Sequence, residues 1–96
     1  MHGNKFLGEY ELQARYDSRN SFYGKAHVRE YDDCLVLCSY STDVAMIKDG
    51  KFYLNGYYSQ TTSRHIREFA KQHGFSHDKK ALDECIENTR KEGITL

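Results

Sequence analysis

The sequence predicts an α+β fold, in which an antiparallel meander sheet of about five strands is followed by two α-helices packed on one face. Residues 8–58 alternate apolar and polar side chains between turn signals, a pattern typical of strands. Residues 62–73 and 77–92 instead show the spacing of amphipathic helices. Strands that precede helices along the chain are typical of α+β domains. A length of 96 residues fits a single domain, residues 1–96.

Two strands are predicted in the first third of the chain. GEYELQARYD alternates, and its covered face is expected to hold Tyr10, Leu12, Ala14 and Tyr16. FYGKAHVREY also alternates, with Phe22, Ala26 and Val28 directed inward. Its outward face is expected to hold Tyr23, Lys25, His27 and Arg29.

The next segments predict the rest of the sheet. Asp32 and Asp33 form a turn before CLVLCSY, which is apolar on both faces, as a central strand would be. Asp49 and Gly50, between two apolar runs, are a strong signal for a β-hairpin. Asn55-Gly56 then turns the chain toward the helices.

Both helices carry end signals. The first is expected to start at Thr61 or Thr62 and to end at Gly74, with Phe75 contacting the last turn. Its apolar stripe is Ile66, Phe69, Ala70 and His73. The second helix is expected to be capped by Ser76 and to end before Gly93. Its stripe is Leu82, Cys85, Ile86 and Thr89.

Composition excludes several classes of function. Lys and Arg number 14, as do Asp and Glu, so no global field attracts nucleic acid or acidic membranes. Near-zero net charge also favours self-association. An odd number of cysteines, three, indicates reduced thiols and a cytoplasmic protein. No apolar run is long enough to cross a membrane.

The sequence offers little for catalysis, and we expect no enzyme. Nucleophile elbows, phosphate loops and HExxH motifs are absent. Ser63 and His65 lie two apart on a helix and therefore point in different directions. Cys34 and Cys38 lie in an apolar strand, where burial makes thiols inert.

Zinc is a lesser hypothesis, and no other cofactor is expected. His73, His77 and Cys85 could meet between the helices, with another Cys or His2 as a fourth ligand. In the alternative interpretation each cysteine packs as a small hydrophobic residue and each histidine faces solvent.

Nucleic-acid contact is a second hypothesis. Arg64, Arg67 and Lys71 form a basic stripe on the first helix, and Lys25 adds a cation from the sheet. Zero net charge favours the simpler interpretation, a solvated helix face.

The segment YDSRNSFYGKA, residues 16–26, combines turn formers with an arginine among aromatic side chains. Arg19 with Tyr16, Phe22 and Tyr23 has the composition of an interface hot spot. A structural Asp17–Arg19 pair over an aromatic ledge explains the same residues equally well.

Three ordered blocks carry a family resemblance: YDSRNSFYGKA, SYSTDVAMIKDGK and NGYYSQTTSRHIREFAKQHGF. They resemble a family of small proteins from phages, plasmids and other mobile elements of Gram-positive bacteria, over about Tyr10 to Phe75. The resemblance implies no catalytic residue. It implies a non-catalytic module that binds a host or defence protein, an anti-CRISPR-type inhibitor being the most concrete form. The expected contact residues are Tyr16, Asp17, Arg19, Phe22, Tyr23, Tyr58, Arg64 and His65.

Overall fold

The computed structural model describes residues 5–17, 21–56 and 59–96. Five antiparallel strands form one sheet in the order of the chain, which confirms the predicted meander and the α+β class. The strands are β1 Phe6–Glu11, β2 Ala26–Tyr31, β3 Cys34–Ser39, β4 Thr42–Lys48 and β5 Lys51–Leu54. They are followed by α1 Gln60–Gln72 and α2 Lys79–Lys91.

The main core lies between the sheet and the helices. Every second residue of the central strands faces it, as in the row Val28, Leu37, Ala45 and Leu54. Both helices contribute their apolar stripes, through Ile66, Phe69, Ala70 and Leu82. This confirms that the helices cover one face of the sheet.

The opposite face of the sheet carries a smaller cluster. Cys34, Val36, Met46 and Tyr53 are buried there. Tyr31 and two C-terminal side chains, Ile94 and Leu96, pack against them. Both faces of β3 are therefore covered, as its continuous apolar sequence predicted.

The β4–β5 turn shows why local signals worked in this part of the chain. Lys48 pairs with Lys51, so only Asp49 and Gly50 form the loop. Both have positive φ, 53° and 73°, which a two-residue hairpin of this twist requires. The hairpin predicted from Asp49-Gly50 is confirmed.

The prediction for the first strand was partly wrong. The strand runs from Phe6 to Glu11, so Ala14 and Tyr16 lie beyond its end. Tyr10 is 46% exposed and Tyr16 57% exposed, although both were expected on a covered face. The reason is that β1 is an edge strand: the core under the helices contains residues of β2 to β5 but none of Phe6–Glu11.

Both helix starts also differ from the prediction. Ser59 caps α1 by accepting the amide of Thr62, and Asp78 caps α2 by accepting the amide of Ala81. The period of the apolar stripe shows where a helix lies, but it does not identify which of several neighbouring polar residues caps the helix.

The helix ends agree with the prediction. Gly74 has φ +77°, and the amide of Phe75 donates to the carbonyl of Ala70. Gly93 ends α2 in the same conformation. Within the described residues, neither helix is long and apolar enough to span a bilayer.

Candidate functional site

The segment after β1, residues 12–17, is attached to α1 by hydrogen bonds; we call it the strapped loop. The carboxylate of Glu68 is buried and accepts the backbone amides of Tyr16 and Asp17, at 2.8 and 2.9 Å. Gln72 donates to the carbonyl of Gln13 and to Glu68, both at 2.7 Å. These bonds fix the backbone of the loop on the helix.

Arg64 completes this attachment. Its Nε and Nη2 donate to the two carboxylate oxygens of Asp17, at 3.1 and 2.6 Å. Such a two-point pair fixes orientation as well as distance. The hydrogen bond to Asp17 raises the pKa of Arg64. Arg64, Glu68 and Gln72 are spaced by four residues, so they share one face of α1.

The strapped loop presents Tyr16 to solvent. Its ring lies 4.9 Å from Nζ of Lys71, a cation–π contact. Arg67 is exposed beside it on α1. Together with Asp17, Arg64, Glu68 and His77 these residues line a groove of about 290 Å³.

A buried polar network lies under the start of α1. The hydroxyl of Ser39, the last residue of β3, lies 2.8 Å from Nδ1 of His65 and 2.9 Å from Oγ1 of Thr62. Burial lowers the pKa of His65, an effect that Asp17 opposes and Arg64 reinforces. His65 is therefore a neutral imidazole at pH 7.

A serine beside a histidine can be a nucleophile and base, but this pair is poorly placed for that role. Ser39 is almost fully buried and its hydroxyl is also engaged by Thr62. The hydrogen bond between Ser39 and His65 instead links the end of β3 to α1.

Two turns border the surface above His65. Tyr23 and Gly24 form one of them, closed by the amide of Lys25 donating to the carbonyl of Phe22. Tyr40 lies in the other, between β3 and β4. Both tyrosines are exposed and have positive φ, 54° and 58°.

The family of unknown function DUF8033 matches residues 10–84. The chain belongs to DUF8033. No curated protein and no solved structure matches it. The matched range contains the strapped loop, both tyrosine turns and all of α1, so the DUF8033 region includes every part of the candidate site.

In this DUF8033 chain, the expected contact residues fall into three groups. Tyr16 and Tyr23 are exposed, and Asp17 and Arg64 are partly exposed. Phe22 and His65 are only 4% and 1% exposed, so they support the surface from beneath and cannot themselves form a broad contact. Arg19 and Tyr58 lie outside the described residues. Asp17 pairs with Arg64 on α1, and the expected Asp17–Arg19 pair falls outside the described residues because Arg19 does.

Three residues of the site were missed. Glu68 and Gln72 were not singled out, although their four-residue spacing from Arg64 placed them on the same helix face. Tyr40 was treated as the end of a strand. Its position between two apolar runs was the available signal, because such positions favour short turns.

The cations expected to contact nucleic acid differ in exposure and in whether they are already paired with a carboxylate. Lys25, Arg67 and Lys71 are exposed. Arg29, on the outward face of β2, is paired with Glu9 at 3.2 Å and Asp43 at 2.9 Å. Arg29 is thus neutralised locally, and the exposed cations of this hypothesis are those on α1 and Lys25.

The residues of the zinc hypothesis do not form a metal site in the described part of the chain. No group of three or more His, Cys, Asp or Glu side chains converges there, so His73, His77 and Cys85 are not brought together. His2 lies outside the described residues. Burial, reinforced by Asp33, raises the pKa of Cys34 to about 11, which makes that thiol unreactive.

Proposed function

We propose that the chain is a small non-catalytic binding module of a phage or other mobile element, acting in the bacterial cytoplasm on a host or defence protein. An anti-CRISPR-type inhibitor is the most concrete form of this proposal. The observation that carries it is the strapped loop, which holds a large aromatic side chain in solvent on a backbone fixed to α1.

Rigid exposed tyrosines are suited to protein recognition. A tyrosine supplies a large contact area with few rotatable bonds, and a fixed backbone loses little entropy on binding. Tyr16 is held in this way by Glu68 and by Lys71. These contacts support an interface that exists before the partner arrives.

The charge of this surface indicates the chemistry of the partner. Arg67 and Lys71 are exposed and form no ion pair with other described residues. The nearby acids are engaged: Asp17 by Arg64, and Glu68 by backbone amides. The surface is therefore locally basic on a chain of zero net charge, and an acidic patch on a protein complements it.

The molecule is large enough for such a contact. A stable interface takes about 800 Å² from each partner. The described chain exposes 5940 Å², so one face that includes α1 and the strapped loop supplies this area.

The test is a tagged pull-down from bacterial lysate that contains candidate defence nucleases, with and without nuclease digestion, read by mass spectrometry. We expect one protein to be retained after digestion. It should be lost with the double variant Arg67→Glu and Lys71→Glu, because the basic surface becomes acidic. The matched control is Lys80→Glu with Lys91→Glu, which makes the same charge change on exposed positions of α2. Equal retention by both double variants would contradict the proposal.

Nucleic-acid binding by α1 is a second candidate, supported by the exposure of Arg67 and Lys71 next to Tyr16. If Arg64, Arg67 and Lys71 each neutralise one phosphate of a duplex, a fourfold rise in salt lowers the binding constant roughly 40-fold. Loss of all retained material on digestion, with this salt dependence, would put this candidate first.

A further inference from the structure

A cavity of about 300 Å³ lies above His65; we call it the tyrosine pocket. Its aromatic lining is Phe22, Tyr23 and Tyr40, and its polar lining includes Lys25, Arg64 and His65. It is separate from the groove beside Tyr16, with which it shares only Arg64.

The floor of the tyrosine pocket includes the ring of His65, and the hydrogen bonds behind the ring decide which of its nitrogens carries the proton. The hydroxyl of Ser59 accepts the Thr62 amide and donates to the Thr62 hydroxyl. The bonds of Ser39 to Thr62 and to Nδ1 of His65 can each run in either direction. Where Thr62 donates to Ser39, Ser39 donates to Nδ1. An imidazole that accepts at Nδ1 carries its proton on Nε2.

The Nε2 atom of His65 has no hydrogen-bond partner among the described residues, although the residue is only 1% exposed. The sealed side-chain atom without a partner in the described part of the chain is Oδ1 of Asp33, so Nε2 of His65 is open to the pocket. The ring is held in place by an edge-to-face contact with Phe22, at 4.6 Å between centroids. An acceptor group in the pocket would satisfy it.

The rest of the polar lining favours a negative charge on that acceptor. Lys25 brings an exposed positive charge to the pocket, and Thr61 adds a hydroxyl, whereas the guanidinium of Arg64 is shared with Asp17. Thr61 lies in the first turn of α1, which contains no acidic residue, so the helix dipole acts in the same direction.

The rim favours a flat ring. Tyr23 and Tyr40 stand on left-handed backbone, which large side chains rarely adopt, and such strained positions are enriched at functional sites. The Tyr40 ring lies 6.0 Å from that of His65. A planar ligand can stack on such a tyrosine while its anionic group reaches the floor.

We propose that the tyrosine pocket is a binding site for a small aromatic anion, of the class of a nucleoside monophosphate. The cavity volume lies at the lower end of small-molecule sites, which are about 300–1,000 Å³, and suits one ring with one anionic group. This goes beyond the proposed function, because the purified chain should bind the ligand without any partner protein.

The test is titration of the purified chain with adenosine monophosphate, followed by calorimetry and by nitrogen NMR of the histidine rings. We expect binding about tenfold tighter than that of adenosine or inorganic phosphate, because each of those lacks one half of the ligand. The His65 Nε2 resonance should shift on binding. This signal reports on the donor directly, without a substitution in the core.

Tyr40→Gly is the diagnostic variant, since it removes the ring and suits the left-handed backbone. We expect it to weaken binding about tenfold or more. Tyr10→Ala is the matched control, because Tyr10 is also an exposed tyrosine but lies on β1. Absence of binding by adenosine, guanosine and uridine monophosphates would overturn the proposal, as would equal affinity for inorganic phosphate. Neither result would affect the pull-down, so the two proposals fail independently.

Discussion

At the scale of single residues, Tyr23 combines high exposure with an unfavourable backbone conformation. It is 73% exposed and has φ 54°, so it bears the cost of left-handed backbone and gains little burial in return. Nothing in the fold requires an aromatic ring at this turn. A residue that destabilises the chain without a structural role is a candidate for a functional one.

Replacing Tyr23 by asparagine tests this view. Asparagine tolerates left-handed backbone better, so we expect Tyr23→Asn to raise the free energy of unfolding by about 0.5–1 kcal/mol. Urea denaturation measures the change. The control, Tyr10→Asn, lies in a strand and should lower stability, since asparagine is disfavoured there. A loss of stability in Tyr23→Asn equal to that in the control would mean that the ring packs usefully.

At the scale of secondary-structure elements, the strapped loop depends on one buried carboxylate. Glu68 accepts two backbone amides and the side-chain amide of Gln72. Removing it leaves the partly buried amides of Tyr16 and Asp17 without this acceptor, and a donor that water reaches only in part is costly to leave unpaired.

We therefore expect Glu68→Ala to lower the free energy of unfolding by about 2–4 kcal/mol. Glu68→Gln should cost less, because the amide oxygen still accepts. Glu84→Ala, at an exposed position of α2, is the control and should change stability by no more than about 0.5 kcal/mol. Chemical denaturation gives all three values, and a cost for Glu68→Ala no larger than that of the control would show that the loop is not held by this residue.

The same elements show what the sequence could and could not predict. The Asp49-Gly50 hairpin and the Gly74 helix end were predictable, because each depends on residues that are neighbours in the chain. The position of β1 at the sheet edge was not, and it is the reason that Tyr10 is exposed.

The site was less predictable than the fold for the same physical reason. Asp17 and Arg64 are 47 residues apart, and Ser39 and His65 are 26 apart. These contacts depend on where α1 crosses the sheet, which the period of its apolar stripe does not determine. The composition of residues 16–26 singled out this region as a candidate, but it could not identify partners on α1.

At the scale of the whole molecule, the buried His65 links stability to pH. Burial lowers the pKa of His65 below its ordinary value of 6.5. The unfolded chain therefore binds a proton, below about pH 6.5, that the folded chain does not yet bind. The stabilisation from the neutral His65 is therefore complete above about pH 6.5 and is lost as the pH falls toward the pKa of His65 in the folded chain.

We expect the free energy of unfolding to fall by up to about 1.4 kcal/mol per pH unit from this one group in that window. Denaturation curves between pH 7 and pH 5 measure the slope. His65→Asn keeps a side-chain amide near Ser39 and removes the titration, so its slope should be smaller even if its stability is lower at every pH. Asn88→Gln, at an exposed position of α2, removes no titrating group and is the control, so its slope should match that of the unsubstituted chain. Identical slopes in all three proteins would exclude His65 as the source.

Because the strapped loop is held by α1, it can take up its structure only after α1 has been synthesised. The partners of the loop on α1 lie 47 to 59 residues further along the chain. Until Gln72 has left the ribosome, Tyr16 belongs to a segment with nothing to hold it. A nascent or truncated chain that stops before α1 therefore carries no weakened form of the strapped loop, because that structure arises only when the two distant segments meet.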